Sequence, residues 1–307
     1  VRVARSILLS LAVLGALPAL ARADLLYTYQ SFDVPGATST RPGSINDLGQ
    51  VVGNYLPGNS NFFRDSSGGF VLNQIPNSQP FAINASGQIL FNSGGPKIYD
   101  PKTGMQFGPF SPPDAFFTGG TGRGFNNLGD IAGNYVSTND FNFHIFIYHQ
   151  GTGTYSTFDL PGDTASTTVY GLNDNDVIVG SDGRGNGFRY DGTTLTLIDI
   201  PGALSTILTG INDNGLMVGT YSGSTSGSFV TDGVNFTPIV FPGASNTTVT
   251  GINDEGEIVG RYLLPNSGNS HGFIADPVPE PSSLLLAGTA GVFGLGYRVW
   301  RRRRPRG

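Results

Sequence analysis

Four Asn-Asp pairs stand out among the polar residues: Asn46-Asp47, Asn173-Asp174, Asn212-Asp213 and Asn253-Asp254. Clustered amide and carboxylate oxygens are a donor set that calcium accepts, yet no Asp-x-Asp-x-Asp-Gly loop accompanies them. Asn and Asp also bond their own backbone at tight turns and tolerate left-handed geometry, and turn-making is the reading adopted. Asp174, Asp176, Glu255 and Glu257 lie in the same turns. Glycoside hydrolysis needs two carboxylates at a separation only the fold can set, so these four read as solvated surface acids. Histidine occurs at His144, His149 and His271 alone. The first two share one strand run at an odd offset, so they face opposite sides, and no zinc-ligand spacing is present. There is no cysteine, hence no thiolate nucleophile, thiolate metal site or disulfide. No Gly-x-Ser-x-Gly elbow precedes a helix. No catalytic residue, metal or cofactor is assigned.

The elements that carry these residues repeat. The phrase Gly-Ile-Asn-Asp-x-Gly-x-Ile-Val-Gly recurs, in full or weakened form, with Asn anchors at 46, 84, 126, 173, 212 and 253, a mean spacing of about 41. Units of roughly 40–45 residues built from short strands are the signature of propeller blades. The fifth unit divides into four strands: 206–212, 216–221, 227–231 and 235–241, with Asp232-Gly233 as a hairpin turn. Runs such as Leu216-Met217-Val218 are apolar without alternation, as expected of sheets covered on both faces. The last unit stops after its third strand, at His271–Asp276, while an orphan strand, Tyr27–Ala37, precedes the first. Moving that strand to the last unit completes it and removes an exposed edge. A β-solenoid or stacked-sheet array is the alternative. The third unit is long: Ser137–Gly153, with Phe141, Phe143, Phe146 and Tyr148, reads as an extended hairpin packing its own aromatics, or as a binding insertion.

Composition agrees with a β-rich globular body. Of 307 residues, 46 are Gly and 11% are aromatic, while 13% are charged; glycine weakens helices, and aromatic surface opposes disorder. Charge is segregated. Residues 24–276 hold 8 basic and 21 acidic residues, a net charge of −13, which repels phosphate backbones and argues against nucleic acid as a partner.

The ends read as addresses. Arg2 and Arg5, an apolar run from Ile7 to Leu20, and Ala21-Arg22-Ala23 have the order of a secretory signal, with a helix that signal peptidase removes after Ala23; an N-terminal membrane anchor is the alternative. At the other end Pro279-Glu280-Pro281 precedes an apolar stretch, 284–299, then Trp300 and Arg301, Arg302, Arg303 and Arg304. That stretch is expected to be a transmembrane helix at the short end of the usual range, with Trp300 at the interface and the arginines as a cytoplasmic stop; a plain tail anchor is the other reading. The three-part tail resembles the PEP-CTERM sorting domain. The resemblance implies recognition by an exosortase-like membrane protease of a Gram-negative bacterium and passage through the inner membrane to the cell surface or extracellular matrix. Similar tails are also described for ice-binding proteins, but no regular Thr-x-Thr array appears. The repeats, over most of 25–276, resemble the extracellular HAF repeat family, which implies surface location and no particular activity.

The expectation is therefore an all-β chain with a signal peptide at 1–23, a six-bladed β-propeller of four-stranded repeats at 24–276 closed by its N-terminal strand, and a sorting tail at 277–307. Its expected function is non-catalytic: binding or scaffolding at the surface or in a biofilm matrix, with extracellular polysaccharide as a partner. The alternative is a propeller enzyme acting on polysaccharide, a lyase or glycosidase.

Overall fold

The computed structural model describes residues 26–58, 60–75, 78–118, 123–161 and 167–278. The expected signal helix and transmembrane helix, with Ala21, Ala23 and the tail from Pro279, lie outside the described residues. Leu26–Val278 forms one compact unit, in which the described elements are all strands.

Six sheets follow one another around an axis. Blade five shows the plan: Ser205–Ile211 is innermost, then Met217–Ser222, Gly227–Thr231 and Phe236–Ile239, each antiparallel to the last. The third of these falls where the sequence places it, and the others shift by one or two residues at their ends. Blades one, two and four repeat the plan. In blade three the innermost strand is split, with Ala115–Thr118 and Gly124–Phe125 both pairing Ile131–Ser137. The orphan strand does close the ring: Tyr27–Phe32 pairs antiparallel with Ser270–Pro277, from Tyr27↔Pro277 to Phe32↔Gly272. Around this seam Asp33 Oδ2 lies 2.8 Å from His271 Nδ1, and Tyr29 meets Phe241 of the preceding blade edge-on at 5.7 Å.

Each blade is apolar on both faces because it has a neighbour on each. Val51 and Val52 are consecutive and both fully buried: Val51 packs toward blade six and Val52 toward blade two. One fully buried Phe anchors every blade. In five of them it stands on the third strand opposite a second-strand glycine: Gly53↔Phe62, Gly133↔Phe146, Gly180↔Phe188, Gly219↔Phe229 and Gly260↔Phe273. The ring lies where a side chain would be; a Cβ on Gly219 would sit 2.8 Å from Phe229 Cζ. Blade two inverts the pair, with Phe91 on the second strand and Lys97 opposite. That exchange is one reason its repeat looks degenerate.

The long third unit is an extended hairpin. Phe143–His149 is the blade's third strand; Phe146 is fully buried, while Phe141 and Phe143 are exposed.

Candidate functional site

The innermost strands surround a central channel, and the repeated Asn closes one end of it. Each Asn side-chain oxygen accepts an N–H from its own turn, as from Gln50 to Asn46 at 3.0 Å, Val177 to Asn173 at 3.0 Å and Glu257 to Asn253 at 2.8 Å. This is the turn chemistry expected from the sequence. The amide nitrogen does something local reasoning does not reach: it donates to the carbonyl of the equivalent Asn in the next blade. The links run Asn253 to Asn46, Asn46 to Asn84, Asn126 to Asn173, Asn173 to Asn212 and Asn212 to Asn253, at 2.8–3.2 Å. Asn84 instead donates to Gln88 Oε1 at 3.1 Å.

A second ring lies beside the first. The N–H of the following residue donates to the side-chain oxygen at that position in the next blade: Asn127 to Asp174, Asp174 to Asp213, Asp213 to Asp254, Asp254 to Asp47, and Ala85 to Asn127, at 2.7–2.9 Å. It breaks only at Ala85, which has no side-chain acceptor. Asn127 also reaches across the axis, its amide donating to Asp47 Oδ2 at 2.9 Å and Asp254 Oδ2 at 3.3 Å. Burial pushes Asp213 and Asp254 above the usual carboxylate range. Neighbouring acids push the same way: Asp174 on Asp213, and Asp47 with Asp213 on Asp254. The four Asp-bearing turns thus converge on one end of the channel. Each carboxylate there accepts a backbone N–H from the adjoining blade.

Toward the other end, which we call the mouth, the walls change character. In five innermost strands the ladder skips one residue three positions before the Asn: Gly43, Phe81, Tyr170, Thr209 and Thr250. A bulged residue is left without a cross-strand partner, which frees its side chain to point elsewhere. In blade three the same position is Arg123, immediately before the ladder resumes at Gly124. All six line the channel. The following position is small throughout, because neighbouring innermost strands approach backbone to backbone; a Cβ on Gly251 would lie 3.3 Å from Ser44 Cα. The collar is thus lopsided. Phe81, Arg123 and Tyr170 come from consecutive blades, whereas Thr209, Thr250 and Gly43 leave their side of the channel open. Thr250 Oγ1 donates to Pro42 O at 3.1 Å. The space between the walls amounts to about 610 Å³, including its opening to solvent.

Two further arginines stand beyond the collar on adjoining blades. Arg41 lies on the innermost strand of blade one, two residues from Gly43, and Arg261 pairs with Thr248, two residues from Thr250. Burial lowers the Arg261 pKa, and the charges of Arg41 and Arg123 lower it further; burial also lowers that of Arg123. Among the described residues none of the three guanidinium groups makes an ion pair or hydrogen bond. Blade three adds Phe116, Phe117, Phe141 and Phe143 on its mouth side, each more than half exposed. The sequence reading singled out none of Arg41, Arg123 and Arg261; their only signal is position relative to the Asn anchor.

The histidines separate, as their offsets require. His144 meets Asp140 and Asp159, and His271 meets Asp33. His149 approaches Asp130 Oδ2 at 3.6 Å. One ligand atom from each of Asp130, His149 and Asp176 lies within 4.8 Å of the others, so this trio could hold a divalent cation. The sequence placed Asp176 in solvent and gave His149 no such neighbours, because the contact joins two blades. Glu257 accepts from Asn253 Nδ2 at 2.7 Å, and Glu255 is exposed.

Residues 277–304 match the PEP-CTERM protein-sorting motif. The match includes Pro279, Glu280, Pro281, Trp300 and Arg301–Arg304, and implies export through an exosortase system and membrane transit to the bacterial surface. No curated protein matches the chain. Among solved structures, the chain is similar to oligogalacturonate lyase from Vibrio parahaemolyticus (13% identity, 85% of this chain, 99% of that chain, TM-score 0.51). It is also similar to TolB from Acinetobacter baumannii (15%, 80%, 65%, 0.52) and to the β-propeller domain of the Trilobed protease from Pyrococcus furiosus (14%, 81%, 86%, 0.50). At such identities the likeness is one of fold. The Pyrococcus domain is described as having an open velcro topology, whereas here the first strand completes the last sheet.

Proposed function

We propose that the chain is an exported surface or extracellular-matrix protein whose propeller binds a ligand at the channel mouth without turning it over. The collar carries this reading. Five of its six positions are bulged by the same device, yet the six side chains run from Gly to Phe to Arg. The repeated phrase builds the scaffold, and the one non-repeating inward position is free to serve a ligand. The carboxylates at the channel's far end are engaged as acceptors between blades, a structural role. The sorting tail supports delivery to the surface of a Gram-negative bacterium, and the resemblance of the repeats to the HAF family supports a surface location. The test is retention of the full chain on matrix polysaccharides, run beside product analysis. Retention with intact polysaccharide is expected; release of oligosaccharide products would overturn the non-catalytic reading.

One observation favours a second reading, a polysaccharide lyase or glycosidase: Asp47, Asp174, Asp213 and Asp254 do converge, and two of them are held above the ordinary carboxylate range. Loss of turnover in Asp213→Asn with the fold retained would establish it.

A further inference from the structure

The body carries 21 acidic and 8 basic residues, yet three of those eight gather at one opening. Like charges repel one another, and the partial burial of Arg123 and Arg261 raises the cost of theirs. Arg189, by contrast, finds Asp191 at 3.2 Å. Folding alone gives no reason to bring Arg41, Arg123 and Arg261 together on three blades with no acid paired to them among the described residues.

We infer that the mouth is a site for an acidic polysaccharide, with a sugar carboxylate held by Arg123 and its charge balanced by Arg41 and Arg261. This rests on the binding role proposed above and names the ligand class. Guanidinium is planar and offers paired N–H donors that match a carboxylate, more strongly where water is partly excluded. Phe81 and Tyr170 line the channel on either side of Arg123 in blade order, and aromatic rings are surfaces on which the C–H face of a pyranose can rest. The opposite side, Gly43, Thr209 and Thr250, is small enough to admit the ring. Phe116 and Phe117, exposed on the same blade as Arg123, extend the apolar surface outward for further sugars of the chain. A small inorganic anion would use the arginines but none of these aromatic faces. The acidic remainder of the body repels the same polymer, which leaves the mouth as the place where it can dock.

The test is calorimetric titration of the full chain in detergent with three probes: a uronic-acid hexasaccharide, the same hexasaccharide with its carboxylates reduced to alcohols, and inorganic phosphate. The acidic hexasaccharide is expected to bind, with affinity falling as salt rises, and the reduced one to bind at least tenfold more weakly. Arg123→Gln is expected to lose tenfold or more, Arg123→Lys to recover part of that, and Arg261→Gln to lose several-fold. Thermal midpoints report whether each variant folds; should Arg123→Gln fail to fold, Arg261→Gln and the reduced probe decide alone. Equal binding of acidic and reduced sugars would overturn the inference while leaving the binding role intact. So would phosphate binding as tight as that of the acidic sugar, which would mark a plain anion site. Absence of binding to these probes and to every matrix polysaccharide would overturn both.

Discussion

Replacing Asp254 separates the two things that its carboxylate does. Its Oδ1 accepts the Asp213 N–H at 2.7 Å, and its Oδ2 accepts Asn127 Nδ2 at 3.3 Å. Asp254→Ala removes both acceptors and leaves a part-buried donor unsatisfied, at a cost of about 1–3 kcal/mol. Asp254→Asn keeps the Oδ1 acceptor and removes the charge; Oδ2 becomes an NH2 that cannot accept from Asn127 Nδ2, which retains Asp47 Oδ2 at 2.9 Å. The native chain already runs this substitution in blade three, where Asn127 Oδ1 accepts the Ala85 N–H at 2.8 Å. Burial, then Asp47 and Asp213, hold the Asp254 carboxyl above its ordinary value. A raised carboxyl favours the folded state while protonated, and that advantage is lost as pH rises from the unfolded value through the folded one. Asp254→Asn should therefore be at least as stable as the native chain at pH 7, and the difference should close as pH falls toward about 4, the unfolded value. Urea unfolding of the three proteins across this range measures it. Destabilisation of Asp254→Asn equal to that of Asp254→Ala at pH 7 would refute the reasoning, because the negative charge itself would then be required.

Three further outcomes follow from the packing and the hydrogen bonds. Gly219→Ala places a Cβ against Phe229 and 2.5 Å from Ile207 O, and should cost roughly 1–3 kcal/mol in urea unfolding through overpacking. Asn212→Ala removes the acceptor of the part-buried Leu216 N–H at 2.9 Å and the donor to Asn253 O at 2.9 Å; Asn253 O keeps the Gly256 N–H at 3.1 Å, so one donor is left unpaired and the cost should be about 1–3 kcal/mol. Burial lowers the His144 pKa, but hydrogen bonds to Asp140 and Asp159 outweigh it and raise the value, while His144 in turn holds Asp140 down at about 2. The stabilisation by His144 should be complete below its unfolded value near about 6.5 and fade as pH rises through the folded one; the melting-temperature gap to His144→Gln should be wider at pH 5.5 than at pH 8.5.

The scaffold was readable because it repeats. Period, blade number, four strands per blade and closure by the first strand all follow from the Asn anchors and from the strand missing after His271–Asp276. The site resisted the same method for the opposite reason. Arg123, Phe81 and Tyr170 occupy one repeat position, but they share no residue type, so a search for recurrence passes over them. Arg41 and Arg261 come from different strands of adjoining blades, and only ring closure brings them near Arg123. The Asn turns were half-read: the bond from Oδ1 to the turn is local, whereas the bond from Nδ2 to the next blade spans about 40 residues of sequence. Blade two looked weak because Phe91 and Lys97 stand where the other blades have Gly and Phe, and blade three because its innermost strand is split.

Ring closure decides whether the collar exists, and the absence of cysteine makes it directly measurable. Thr28 and Asp276 are cross-strand partners at the seam, where Cβ atoms stand about 4.5–5.5 Å apart, near the span of a disulfide. The double variant Thr28→Cys, Asp276→Cys, secreted and run on a non-reducing gel, should migrate faster than its reduced form. Closing so long a loop should add on the order of 5 kcal/mol to unfolding. Two free thiols that react fully with alkylating agent in the folded protein would mean that the first strand lies elsewhere, and the six-bladed closed wheel would be wrong.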